Sequence, residues 1–189
     1  LLRSFIVAAA CALVLTLLAV TFGAEIGGVL LPVIRQACAL LAPELVVRNV
    51  ALVHADGQWV YRLDLVSGPF TFVGGQHVPA DLDMYGTTLL GHALQHPVLL
   101  LSVIAGWPGL GPWQRVKAAL CGLVLLAPVE LLDVPMVLLG SIWDLLYSNF
   151  APGDWSLTVR WMNFMNGGGR LALALAGAGT AVLIAEALP

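Results

Sequence analysis

Four apolar stretches, at roughly 4–23, 86–106, 117–140 and 169–187, decide what this chain can fold into. Each is close to the ~20 residues that a helix needs to cross a ~30 Å hydrocarbon core. Inside such a core only helices and closed barrels satisfy their own backbone groups. The balance of residue types agrees: 60% are apolar and 10% charged, against ~25% charged in an ordinary soluble domain. A soluble enzyme and a disordered tail are thereby excluded. A net charge of −3 without any basic run gives no pointer to nucleic acid or to a polybasic lipid anchor. The expected fold is an all-α membrane bundle of four transmembrane helices, with the lipid bilayer as one partner.

Between the first two stretches lies the one sizeable polar region, which divides the chain into a first transmembrane helix (1–23), an extracytoplasmic domain (24–85) and the remaining spans (86–189). Because the chain opens on Leu1, an initiator residue is expected before it; Arg3 and the run 5–22 also resemble a signal peptide. The length of that run, and the lack of an A-x-A pattern after it, favour a retained span. The polar region opens with an amphipathic helical pattern, 30–41, started by Pro32 and carrying Arg35 and Gln36, expected along the membrane surface. Strand-like runs follow at 46–53 and 58–66, flanking Asp56-Gly57, a strong hairpin signal. A shorter run, 70–73, ends at Gly74-Gly75, and Pro79 closes the region. So small a β-rich domain buries little core alone and is expected to rest on the membrane, the helices or a partner.

Lysine and arginine near the span ends orient the chain. Arg3, Arg115 and Lys117 on the inner side put both termini in the cytoplasm and the β-rich domain outside; Arg160 and Arg170 count against this. Trp107 and Trp113 then fall at the inner boundary and Trp143, Trp155 and Trp161 at the outer one, where aromatic belts form. The segment at about 150–168 reads as interfacial, ending in the flexible run Gly167-Gly168-Gly169. The last stretch has Ala172, Ala176 and Thr180 at helical spacing beside Gly177 and Gly179, small residues that let membrane helices approach closely.

Ionisable groups inside such stretches are costly and mark functional positions by default. His92 and His96, four apart, share one helix face, with Pro97 next to them; Glu130 and Asp133 share a face between Pro128 and Pro135. At ~1.5 Å rise per residue, His92 and Asp133 lie ~10 Å below the outer face, and His96 and Glu130 ~15 Å. Three readings follow, in order of support. The four groups hydrogen-bond across two helices and lock the bundle. Alternatively, His92, His96, Glu130 and Asp133 ligate a transition metal or haem. Third, a histidine–carboxylate contact serves as a proton relay. No H-E-x-x-H or C-x-x-C accompanies them, and neither Ser102 nor Ser141 stands in a G-x-S-x-G context, so no cofactor is expected and the chain leans away from being an enzyme. Asp81, Asp83 and Tyr85 read as a solvated loop before the second span, Asp144 as a partner for Arg160 or Arg170, and Cys38 as a buried thiol. Cys11, Cys38 and Cys121 are too scattered for a disulfide framework.

In layout, with a single first span, a short β-rich outer domain, Tyr85-Gly86 before the leucine-rich Leu89-Leu90, and Trp113-Gln114-Arg115 before the third span, the chain resembles the exosortase-associated small integral membrane proteins. Those are encoded beside the protein-sorting transpeptidases of Gram-negative bacteria. The resemblance implies a multi-pass protein of the bacterial inner membrane, non-catalytic, acting as an accessory or assembly subunit with other integral membrane proteins as partners. The exosortases' own catalytic Cys, Arg and His motifs are not recognisable here. The outer domain and the small-residue face of the last span are the expected docking surfaces.

Overall fold

The computed structural model describes residues 2–154 and 156–188; Trp155, one of the boundary tryptophans named above, lies outside them. The elements in chain order are α1 (Leu2–Leu41), β1 (Leu45–Ala55), β2 (Gln58–Ser67), β3 (Phe72–Val73), β4 (Gln76–His77), β5 (Asp83–Leu89), α2 (Leu90–Gly106), α3 (Pro112–Phe150), α4 (Leu157–Phe164), a π-helical turn (Met165–Gly169) and α5 (Arg170–Ala187). The protein is thus largely helical with a small β region. Three stretches, Leu2–Leu41, Pro112–Phe150 and Leu157–Ala187, are long and apolar enough to cross a membrane, which marks a multi-pass membrane protein.

Two elements differ from the expectation. The stretch expected to span from residue 86 is strand up to Leu89, because Gly86, Thr87 and Thr88 pair with Leu63, Arg62 and Tyr61 of β2. The β-branched threonines suit that pleated surface better than a helix. Helix α2 therefore has 17 residues, a rise of about 26 Å, short of the hydrocarbon thickness. The second difference is α1, which runs 40 residues with Pro32 inside it, absorbing the amphipathic segment expected at 30–41. Pro32 removes one backbone hydrogen bond, while Ile34, Cys38 and Ala42 form a fully or nearly fully buried stripe that holds the later turns in place.

The chain divides into two compact units. The first comprises residues 1–23, 91–130 and 168–189, and its regular elements among the described residues are helical, joined by the turn at 107–111. Its core is Leu100 and Ile104 of α2, Ala118 and Leu126 of α3, and Ala178, Ala181, Val182 and Ala185 of α5. Glycines make the close approaches. A Cβ on Gly122 would lie 2.9 Å from Leu100, one on Gly106 would lie 2.6 Å from Ala8, and one on Gly177 would touch Leu100 and Leu126. Small residues thus make room for the leucine side chains of the neighbouring helices. The buried face of α5 is Ala174, Ala178, Ala181 and Ala185, whereas Ala172, Ala176 and Thr180 are exposed.

The second unit comprises residues 24–90 and 131–167. Its antiparallel sheet has the order β1-β2-β5. Asp56 and Gly57, with φ of 48° and 77°, form the tight β1–β2 turn that both residues' tolerance of positive φ permits. Leu52, Tyr61, Leu63, Leu65, Met84 and Gly86 lie on one sheet face by register. Tyr61 donates its hydroxyl to the Gly27 carbonyl of α1 at 3.2 Å, and Gly86 meets α3, where a Cβ would sit 2.6 Å from both the Leu138 carbonyl oxygen and Ser141 Oγ. Two helical segments therefore cover this face. On the other face, Arg48 pairs with Asp83 at 3.0 Å, Arg62 pairs with Asp64 at 2.8 Å, and the Arg62 guanidinium lies over the Tyr85 ring. Asp83 and Tyr85 are thus strand residues with cationic neighbours, where a solvated loop was expected. The 67–82 connection is fastened by hydroxyls: Ser67 donates to the Pro79 carbonyl and accepts from the Leu82 N–H, and Thr71 donates to the Glu44 carbonyl. Ser156 caps α4 by accepting from the Val159 N–H, and Gly168, at φ 107°, breaks the helix direction before α5.

Gly86→Ala should lower the unfolding midpoint in detergent, at a cost of about 1–3 kcal/mol for the forced overlap with α3. Gly91→Ala, where nothing lies within 4 Å, should leave the midpoint unchanged or raise it slightly. Thermal unfolding followed by circular dichroism separates the two.

Candidate functional site

The polar groups within the apolar helices make up the site. His96, Leu100 and Ile104 follow one another at four-residue spacing on the buried face of α2, all at 0–1% exposure. His96 is thus placed in the interior by the same stripe that packs the first unit. Glu130, on α3 and in the same unit, reaches it: Nδ1 of His96 and Oε1 of Glu130 are 2.9 Å apart, with the carboxylate side chain 25% exposed. The approach is off the axis of a hydrogen bond, so the contact is electrostatic rather than a directed N–H···O bond. The other ring nitrogen, Nε2, is buried with no hydrogen-bond partner among the described residues. A buried polar atom left so costs about 1–3 kcal/mol and calls for an explanation.

The remaining two groups of the expected quartet are distributed differently. His92, one turn before His96, is half-buried in the first unit, and Asp133 is fully buried in the second. Neither is without a partner. Arg170, at the start of α5, is 3% exposed and likewise engaged. Its burial was not legible: next to Gly167-Gly168-Gly169 it reads as a span-end cation. The only hint was a charge adjoining an apolar stretch without a second charge beside it.

As a metal centre the arrangement is incomplete. Among the described residues no group of three or more His, Cys, Asp or Glu is placed to hold an ion. One imidazole nitrogen and one carboxylate do not fill the coordination of a transition metal. What the pair can do is hold two polar groups of different helices together in an apolar interior, where separating them is costly. Elsewhere the polar and aromatic expectations sort by burial. Cys38 is fully buried and free. Trp143 is buried, 5.9 Å from the Tyr147 ring, while Trp113 is exposed. Asp144 is exposed and forms no ion pair among the described residues, in contrast to the expected pairing with Arg160 or Arg170.

Compared with known proteins, the chain matches no family model, no curated protein and no solved structure.

His96→Ala removes the buried contact with Glu130 and leaves a space in the α2 stripe, so it should destabilise the protein by about 1–3 kcal/mol, the partial exposure of Glu130 keeping the loss below that of a fully buried pair. His96→Leu/Glu130→Leu together should recover most of that loss, since apolar residues of similar volume replace a buried pair at little cost. A double-mutant cycle on unfolding in detergent measures the coupling directly.

Proposed function

We propose that this protein is a non-catalytic accessory or assembly subunit of a larger complex in the bacterial inner membrane. The observation that carries the reading is the surface of the second unit. Ile26, Val29, Val33 and Leu40 of α1 fall on one helix face and are 47, 76, 42 and 74% exposed. Phe70 and Phe72, on and before β3, are exposed as well. Exposed apolar side chains of this kind support a surface that another membrane subunit covers. The exposed small residues Ala172, Ala176 and Thr180 on α5 support a second contact surface, because the bundle itself uses the opposite alanines. The resemblance in layout to exosortase-associated membrane proteins supports the same role.

In this reading the protein crosses the bilayer four times, α2 being the short crossing, with both termini in the cytoplasm and the sheet outside. Arg3, Arg115 and Lys117 support that orientation. The other integral membrane subunits contact the second unit and the free face of α5. A cofactor-bearing redox subunit is the second reading, favoured by the orphaned Nε2 of His96. A histidine backed by a carboxylate on its other nitrogen is how metal-ligating imidazoles are commonly held. The missing ligands would then come from a partner.

Purification from native membranes should yield a partner of fixed stoichiometry, and His96→Ala should lower stability with no change in metal or haem content. A stoichiometric metal or chromophore that vanishes in His96→Ala would replace the lead with the second reading. For orientation, a membrane-impermeant maleimide should label Asp56→Cys in intact cells, in a background lacking the native cysteines, and Leu188→Cys only after lysis. The reverse pattern inverts the topology.

A further inference from the structure

Strand β1 forms one edge of the sheet, since the order is β1-β2-β5. Edge strands present unpaired N–H and C=O groups, and proteins blunt them with lysine, proline, bulges or inward charges. Here the one bulge lies between Val47 and Asn49. Residues 49–55, Asn-Val-Ala-Leu-Val-His-Ala, carry no lysine, no proline and no acidic side chain.

Beside this strand, within the same unit, lies an open groove of about 510 Å³ lined by Leu31, Pro32, Arg35, Gln36 and Ala39 of α1 and Val50 of β1. That volume falls in the range of binding clefts, ~300–1,000 Å³. Its lining is apolar except for Arg35 and Gln36. Arg48 and Arg62 of the same unit are each paired with an aspartate, but Arg35 has no ion pair or hydrogen bond among the described residues. A guanidinium at the side of an apolar groove is matched by a carboxylate, which it can hold through two parallel hydrogen bonds. Three features therefore meet in one place: a strand edge without lysine or proline, an apolar groove that Val50 of that strand shares with α1, and one cation without a counter-charge.

We propose that the second unit binds an extended apolar segment of a partner protein, added as a fourth strand on β1, with an acidic side chain of that segment on Arg35. Main-chain hydrogen bonds to β1 hold the segment, and alternate side chains enter the groove, the division of labour common to strand addition. The inference rests on the reading of the chain as a docking subunit and identifies the surface and the chemistry of what docks there.

A display library of random eight-residue peptides, selected against the full chain in phosphatidylcholine nanodiscs, tests it. The expected result is enrichment of alternating apolar peptides with one Asp or Glu. Their affinity should fall at least ten-fold with Arg35→Glu, and a Lys-for-Glu peptide should bind that variant in turn. That rescue also shows the variant to be folded. Hydrogen exchange at the β1 amides should slow when the peptide binds. Enrichment that ignores charge, or no enrichment over Arg35→Glu, overturns the proposal. So does loss of peptide binding in phosphatidylglycerol nanodiscs, which makes the groove a lipid-phosphate site, or a dimer of this chain broken by Arg35→Glu. Co-purification in parallel separates the two levels. A native partner retained by Arg35→Glu removes the groove and keeps the subunit reading, whereas no partner with either chain removes the subunit reading itself.

Discussion

Backbone groups that cannot reach water must find partners within the chain, and this constraint sorts the elements of the protein. In the first unit each helical segment satisfies its own hydrogen bonds, and its regular elements are helices. In the second, residues 83–89 leave helical geometry because β2 offers them a complete ladder from Val60 to Val66. Once β5 pairs there, Gly86 has no side chain to keep α3 away, and a helix backbone comes against the strand. The same need acts on side chains: the Ser67 and Thr71 hydroxyls bond carbonyls that the 67–82 connection would otherwise leave stranded.

How much of this was readable depends on whether the signal is local. Asp56-Gly57 is local, since the turn geometry is a property of those two residues, and the hairpin was legible down to a residue or two at its ends. The match of His96 with Glu130 was legible in their similar depth along two consecutive apolar stretches, although the count began at Gly86, which is strand. Strand β5 was not, since an apolar average over 86–106 conceals two threonines and a glycine whose conformation is decided by a strand twenty residues earlier. The unbroken α1 was hidden for the same reason. Pro32 is a local signal for a new helix, and the stripe of Ile34, Cys38 and Ala42 that joins its turns to the preceding ones exists only once the unit has folded. Arg35 was read as part of a surface helix, and only the position of Val50 places a groove beside it.

The faces of α5 show why a pattern of small residues identifies a packing helix without saying which side packs. Alanines recur on both faces, so spacing alone marked Ala172 and Ala176, whereas Ala174, Ala178, Ala181 and Ala185 fill the core. Large neighbours decide the matter. Leu100 and Leu126 project toward Gly177 from α2 and α3, and the face that receives them is the one turned inward.

That degeneracy bears on why a costly polar pair sits in the same bundle. Small-residue faces allow close approach, but they discriminate weakly between registers: sliding one helix by a turn replaces an alanine with another alanine. A histidine and a glutamate do not tolerate such a slide, because the carboxylate would leave the imidazole buried without its counter-charge at a cost of several kcal/mol at most. Apolar replacements would serve stability equally well, so stability alone does not account for His96 and Glu130. Buried polar groups favour one register of packed helices in coiled coils, and His96 and Glu130 join α2 to α3 at one such point. Leu100, one turn of α2 after His96, meets Gly122 of α3, so the polar pair and this close packing contact belong to the same alignment.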